Sequence, residues 1–356
     1  MQQIDDFTYM QAYPVHHYRM DNGLEVLLVH NPISPVSAYL THYTVGSALE
    51  GDGERGLAHF FEHMMFRETA RLKDGDFDRI VAESGGVGLN AFTSYDTTAY
   101  HVNVPSAQLP RVIELEADRM VNLRLSAELI EIERGAVLGE MNMYKDMPSE
   151  QLWNTLMAEA FPTHPYRHPI IGYVEQVRAF RDGDFARFYQ AHYAPNRAVV
   201  VVAGGFDEPW LLEQLERAYG ALRPGAARPV AAVPDAPWEG SRRVEVRHDK
   251  VSADSLVLAW RSPGVTHAEL PALVLLGAAL VAGHSSPLHQ RIVFDGIGTH
   301  VSAFTMEAEM YLASPALFLV ETALQQGGPA ERAEEAVQDL LGALQRDGIA
   351  PEHLEL

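Results

Sequence analysis

His59-Phe60-Phe61-Glu62-His63 places two imidazoles and a carboxylate within five residues. Residues three and four apart are neighbours on a helix, so His59 and His63 can face one metal ion while Glu62 stands beside them. The H-x-x-E-H order is the mirror of the commoner H-E-x-x-H zinc motif. The chemistry it suits is hydrolysis assisted by a metal ion, with the carboxylate handling the proton. Leu57, Phe60, Phe61, Met64 and Met65 follow the i, i+3, i+4, i+7, i+8 template and fall on the opposite side of the same helix. One face packs and the other is free for chemistry. Read alone, the five residues are equally compatible with polar groups on a solvated face.

A catalytic zinc takes three protein ligands and leaves the fourth position open. The stretch from Ala127 to Lys145, preceded by the N-cap candidate Ser126 and followed by Pro148, reads as a long helix. It carries Glu128, Glu131, Glu133 and Glu140, of which Glu133 and Glu140, seven residues apart, share a face with Ala136 and Val137. An unpaired carboxylate beside an apolar stripe is costly, so a metal or a cation belongs nearby. Surface pairing with lysine or water would fit the same spacing.

The elements that must hold these residues are mixed. Asn22-Gly23 precedes the β-rich run Leu24 to Val29, a second run covers Val36 to Val45, and the two read as paired strands. Helical periodicity follows at Leu57 to Phe66, Asp76 to Ser84 and Leu109 to Leu123, with a strand or hairpin at Asn90 to Val104. Helices around Gln151 to Ala160 and Phe185 to Ala191 lead into the apolar run Ala198 to Gly204, which reads as a central strand. Residues 223–240 are rich in proline and alanine and read as a linker. Beyond it the order partly recurs, with strands at Arg243 to Arg247 and Leu256 to Trp260 and helices at His267 to Val281 and Pro287 to Phe294. The expected architecture is α+β, with two homologous domains, each a mostly antiparallel sheet packed against helices. The first spans 1–222 and the second 241–356, which reads as incomplete at its C-terminus.

At 356 residues, two domains of ordinary size is the default expectation. Forty-eight acidic residues against 27 basic give a formal charge of −21, which disfavours nucleic acid and anionic membranes and suits cationic partners or simple solubility. No apolar stretch approaches the ~20 residues of a membrane span. Cysteine is absent, which excludes disulfides without choosing a compartment. The segment Met1 to Tyr13 has neither a basic start nor an apolar run, so no secretory signal is visible and the plain reading is cytoplasmic. A processed N-terminus would make it periplasmic.

Taken together, these motifs resemble the insulinase/pitrilysin family of inverted-zincin peptidases, which includes mitochondrial processing peptidase. In that family a glutamate ligand follows the second histidine after a gap of this length, with an accessory glutamate seven residues earlier. Here 76 residues separate His63 from Glu140, and Glu133 stands seven before it. The resemblance extends through Gly46-Ser47-Ala48-Leu49-Glu50, Gly56-Leu57-Ala58, Asn90-Ala91-Phe92-Thr93-Ser94, His164-Pro165-Tyr166 and Tyr193-Ala194-Pro195-Asn196, and more loosely through Gly283-His284-Ser285-Ser286. It implies one zinc per chain on His59, His63 and Glu140, Glu62 as general base, and Glu133 as a group orienting a ligand histidine. It also implies an edge strand at Asn90, Ala91, Phe92 and Thr93 along which a substrate peptide lies.

The implied activity is that of a zinc endopeptidase acting on unfolded or presequence-like peptides. The alternative is an inactive member serving as scaffold or peptide-binding subunit. Many members carry an Arg and a Tyr seven residues apart in the non-zinc half. This chain has Val293 at the first position and Thr299 or His300 at the second. Val293 cannot replace an arginine. The resemblance therefore implies a homologous partner subunit that carries the pair, or otherwise a homodimer.

Overall fold

The computed structural model describes residues 1–226 and 237–349, which fall into two units, Met1–Arg242 and Arg243–Leu356. The first unit is built on a seven-stranded sheet. Strands β1 (Gln2–Tyr9) and β2 (Tyr13–Arg19) form an N-terminal hairpin, and the Asn22-Gly23 turn carries the chain into β3 (Glu25–His30). With β4 (Val36–Tyr43), the hairpin β5 (Val87–Thr93) and β6 (Thr98–Pro105), and β7 (Ala198–Gly204), the order is β1-β2-β3-β7-β4-β6-β5. The β3–β7 pair runs parallel and the other pairs antiparallel.

The pairing expected between the runs at 24–29 and 36–45 does not form, because β7 lies between them. Its sequence Ala-Val-Val-Val-Val-Ala-Gly is apolar at every position, so it can be covered on both faces and hydrogen-bonded along both edges. The Asn22-Gly23 turn serves β2 and β3 instead, placing Val15 opposite Val29 and Arg19 opposite Glu25.

Eight helices complete the first unit among the described residues: α1 (Leu57–Met64), α2 (Asp76–Glu83), α3 (Leu109–Asn122), α4 (Ala127–Lys145), α5 (Pro148–Ala160), α6 (Val174–Ala179), α7 (Asp182–His192) and α8 (Glu208–Tyr219). The first of these is the short helix that carries the histidine motif, and it ends two residues before the expected Phe66. Its start is tightly specified. Gly56 has φ of 103°, and a Cβ there would lie 2.6 Å from the Ile171 carbonyl oxygen. The buried Glu50 carboxylate accepts from the Gly56 N–H at 2.9 Å and the Ala58 N–H at 2.7 Å, satisfying donors that a helix start leaves free.

The apolar face of α1 is anchored from both sides. Phe60 meets the Phe185 ring edge-on at 4.7 Å, and Phe61 stacks on Phe188 at 5.4 Å, so α7 clamps it. Beneath it, the fully buried Arg119 pairs with Glu116 at 2.5 Å, lies over the Tyr100 and Phe77 rings at 4.3 and 4.5 Å, and donates to the Met65 carbonyl at 3.5 Å. Thr41 donates to the same Glu116 at 3.0 Å. A buried charge held on several sides in this way fixes the end of α1 against the sheet.

The second unit holds a three-stranded antiparallel sheet in the order β8 (Ser255–Arg261), β10 (Leu317–Leu324), β9 (Gly298–Thr305). Helices α9 (Leu270–Val281), α10 (Met306–Met310) and α11 (Ala330–Asp347) accompany it, and a π-helix spans His289–Phe294. The architecture is thus α+β in both units, with mostly antiparallel sheets. Arg243 to Arg247 is not a strand. Its charges are drawn sideways instead, Arg243 to Glu331 at 3.0 Å and to Glu334, and Arg247 to Glu245 at 2.9 Å. Of the expected linker at 223–240, residues 227–236 lie outside the described residues, as do 350–356 at the C-terminal end. Among the described residues no helix is long and apolar enough to cross a membrane.

Candidate metal centre

α1 and α4 pack together and bring the predicted ligands to one point. The Nε2 atoms of His59 and His63 lie 3.5 and 3.4 Å from the same oxygen, Glu140 Oε2. Ligand atoms about 2.0–2.2 Å from a tetrahedral zinc are separated by edges of about 3.3 Å. Two of the three donor edges thus already have the length that a tetrahedral zinc requires, and all three donor atoms lie within 4.8 Å of one another. His63 is further tied by its Nδ1, 3.0 Å from Glu133 Oε2, which leaves Nε2 for the metal. His59 Nδ1 is buried without a hydrogen-bond partner, so that ring lacks the second tie that Glu133 gives His63.

The electrostatics of the two imidazoles differ. Burial pushes His59 down to about 4, reinforced by His63 and opposed by Glu140. Burial would lower His63 too, but its bonds to Glu133 and Glu140 prevail and push it up to about 9. The bond from His63 holds Glu140 at about 2, helped by Tyr144 and His59 and opposed by burial. An anionic carboxylate between two imidazoles is the charge pattern that a divalent cation completes.

Glu62 lies beside this group. Burial raises its carboxyl above the usual carboxylate range, opposed by the Thr93 hydroxyl, which donates to Oε2 at 2.6 Å, and by His63. A base of raised pKa accepts a proton more readily near neutral pH. Thr93 ends β5, which is the outer strand of the sheet, with Asn90 exposed and Ala91 and Phe92 half-buried. A cavity of about 450 Å³ opens next to Glu62 and His63, and Asp74, Asp78, Arg67 and Asn90 help to line it.

The sequence reading missed two contributors and one role. Arg67 binds Glu133 through its guanidinium and Asp74 at 3.1 Å, so the carboxylate that orients His63 is itself held. Tyr144, one turn beyond Glu140, bonds to it; an i, i+4 spacing could have flagged this. The Thr93 bond to Glu62 had no local signal. In the second unit Val293 packs half-buried against that unit's core, and His300 is exposed on β9 opposite Ala323.

Residues 25–173 match the family model for insulinase (peptidase family M16), and residues 181–356 match the one described as the peptidase M16 inactive domain. The chain belongs to the insulinase family, a family of metallopeptidases. A zinc protease of Mycobacterium bovis is 31% identical over 339 residues, spanning 93% of this chain and 74% of that protein. The zinc protease PqqE of Helicobacter pylori is 29% identical over 333 residues, 92% of this chain and 73% of the relative. The mitochondrial-processing peptidase subunit beta of Rattus norvegicus is 31% identical over 256 residues, 72% of this chain and 52% of that subunit. The crystal structure of a protease from Helicobacter pylori superposes with a TM-score of 0.89 at 27% identity, covering 96% of this chain and 82% of that one.

Proposed function

We propose that the chain is a zinc-dependent endopeptidase of unfolded or presequence-like peptides, with one zinc at this centre held by His59, His63 and Glu140. The observation that carries the reading is the convergence of both Nε2 atoms on Glu140 Oε2 with Glu62 alongside. Bound there, zinc supplies Lewis acidity toward the scissile carbonyl and toward water. Glu62 takes the proton of the attacking water and returns it to the leaving amine, with Thr93 keeping its carboxylate in place. Glu133, gripped by Arg67, orients His63.

Asn90, Ala91, Phe92 and Thr93 lie on β5, the outer strand of the sheet, along which an extended peptide would pair through its main chain. Such pairing asks little of the substrate's sequence. Selectivity then falls to the cavity beside Glu62, where Asp74 and Asp78 favour a cationic side chain. In this reading residues 1–222 are the catalytic domain and 241–356 a homologous companion. With Val293 in place of an arginine, full turnover needs a homologous subunit that carries the Arg/Tyr pair. The similarity to a mitochondrial-processing peptidase subunit supports that assembly.

A quenched-fluorescent basic peptide tests the proposal. The zinc-loaded wild type should cleave it, faster at low than at high salt, while Glu62→Gln should bind zinc and peptide without cutting. If the wild type with zinc bound, mixed with its homologous subunit, cuts no better than Glu62→Gln, the chain is a peptide-binding scaffold. Single-turnover and steady-state rates of the chain alone and with that subunit test the assembly. An isolated chain that is already fully active removes the need for a partner and makes His300 the residue to replace.

A further inference from the structure

Outside the α1–α4 centre, a second group of two imidazoles and a carboxylate converges in the first unit. His16 Nδ1 lies 2.9 Å and His30 Nε2 2.7 Å from Glu208 Oε2, and the three atoms all lie within 4.8 Å of one another. Strand pairing brings the two histidines together. His16 on β2 stands opposite Leu28 on β3, and His30 lies two residues beyond Leu28, so both rings leave the sheet on the same face. Tyr18, two residues from His16, shares that face and donates its hydroxyl to Glu208 Oε1.

Glu208 is the first residue of α8, whose N-cap Asp207 accepts from the Trp210 N–H at 2.9 Å. The helix start favours the ionised carboxylate. Burial alone would raise the Glu208 pKa, but the bonds from Tyr18, His16 and His30 hold it below the ordinary value. The Phe206 ring packs on His30 at 4.7 Å. Side-chain exposures of 32, 22 and 16% for His16, His30 and Glu208 leave a path for an ion and a water.

We propose that His16, His30 and Glu208 form a second metal site, which takes a zinc-class divalent cation and clips the β2–β3 ribbon to the start of α8. Two imidazoles and one carboxylate are a donor set that zinc accepts, with a water in the fourth position. Metal entry exchanges two N–H···O bonds for two nitrogen–metal bonds. The proton on each donating nitrogen moves to the other ring nitrogen or leaves to solvent, so that the lone pair is free for the ion. Tyr18 goes on holding Oε1. The donor atoms now sit at hydrogen-bond lengths, and zinc requires them to part by roughly half an ångström to edges of about 3.3 Å. His30 at the end of β3 and Glu208 at the start of α8, both part-exposed, can make that movement. The role assigned to it is structural, because a bound ion would tie β2 and β3 to the start of α8. The inference is independent of the peptidase reading.

Metal analysis of the full-length chain after dialysis against micromolar free zinc tests it. The wild type should hold two ions, His59→Ala/His63→Ala one, and His16→Gln/His30→Gln one. In His59→Ala/His63→Ala, whose second cluster is intact, zinc should still raise the unfolding midpoint and cobalt should still give a visible ligand-field spectrum. One ion in the wild type and none in His59→Ala/His63→Ala would reduce the cluster to a hydrogen-bonded clasp and overturn the site. Should that variant fold poorly, His16→Gln/His30→Gln decides the question, since an ion count unchanged from the wild type would overturn the site.

Discussion

His59, His63 and Glu140 on one side, and His16, His30 and Glu208 on the other, are the same three donor types in two different settings. In the first, both histidines come from one helix and the carboxylate from a neighbour, and the donors stand 3.4–3.5 Å apart. In the second, the donors come from two strands and a helix start and are drawn to 2.7–2.9 Å by hydrogen bonds. Beside the first stand the Glu62 carboxylate, the outer strand β5 and a cavity of about 450 Å³. A ligand set alone therefore does not define a catalytic centre. What surrounds it decides whether a bound ion meets a substrate or merely ties elements together.

The sharpest test of this contrast is removal of ligands. His59→Ala/His63→Ala should abolish zinc at the catalytic centre and lower kcat/KM by about 10³-fold or more, because metal stabilisation of the transition state is worth several kcal/mol. The corresponding change at His16 and His30 should show in unfolding rather than in turnover. Comparable losses of kcat/KM at both clusters would erase the distinction.

Glu62→Gln comes next, with an expected fall in kcat of about 10²–10⁴-fold at unchanged zinc content, the usual contribution of a positioned general base. Loss of the metal along with activity would make Glu62 a ligand instead. Smaller again is Glu133→Gln, which frees the His63 ring and should weaken zinc binding or activity by about 10–100-fold. Competition with a chromophoric chelator reads this directly. Should Glu133→Gln bind zinc as tightly as the wild type, the carboxylate holds α1 to α4 without tuning the metal.

The smallest effect is expected from Glu208→Ala, measured without metal. It leaves His16, His30 and Tyr18 without their shared acceptor and should cost about 1–3 kcal/mol, several degrees in Tm for a domain of this size. An unchanged midpoint in metal-free buffer would show that the hydrogen bonds at Glu208 contribute nothing net.

Much of the proposed catalytic centre was legible beforehand because its spacing is local. His59, Glu62 and His63 need only the geometry of one helix to share a face, and the apolar positions Leu57, Phe60, Phe61 and Met64 are all buried, as their periodicity predicts. Glu140 is a different case. Its pairing with the two histidines depends on α4 packing across α1, and a gap of 76 residues says nothing about that without the resemblance to a known family. Thr93 and Arg67, which hold Glu62 and Glu133, could be identified only once β5 and the end of α1 had been placed.

The second cluster lay wholly beyond sequence reading. Glu208 is 192 residues from His16 and 178 from His30, and no periodicity links them. The mistaken β3–β4 pairing has the same origin, since β7 enters between those strands from far along the chain. By itself the sequence determined the zinc-motif helix, the apolar face that buries it and the Ser126 cap that starts α4. These depend on bonds between residues a few positions apart. The tertiary structure decided the sheet order, the third ligand's arrival and the meeting of β2, β3 and α8. Those depend on which buried surfaces cover one another once the chain has closed on itself.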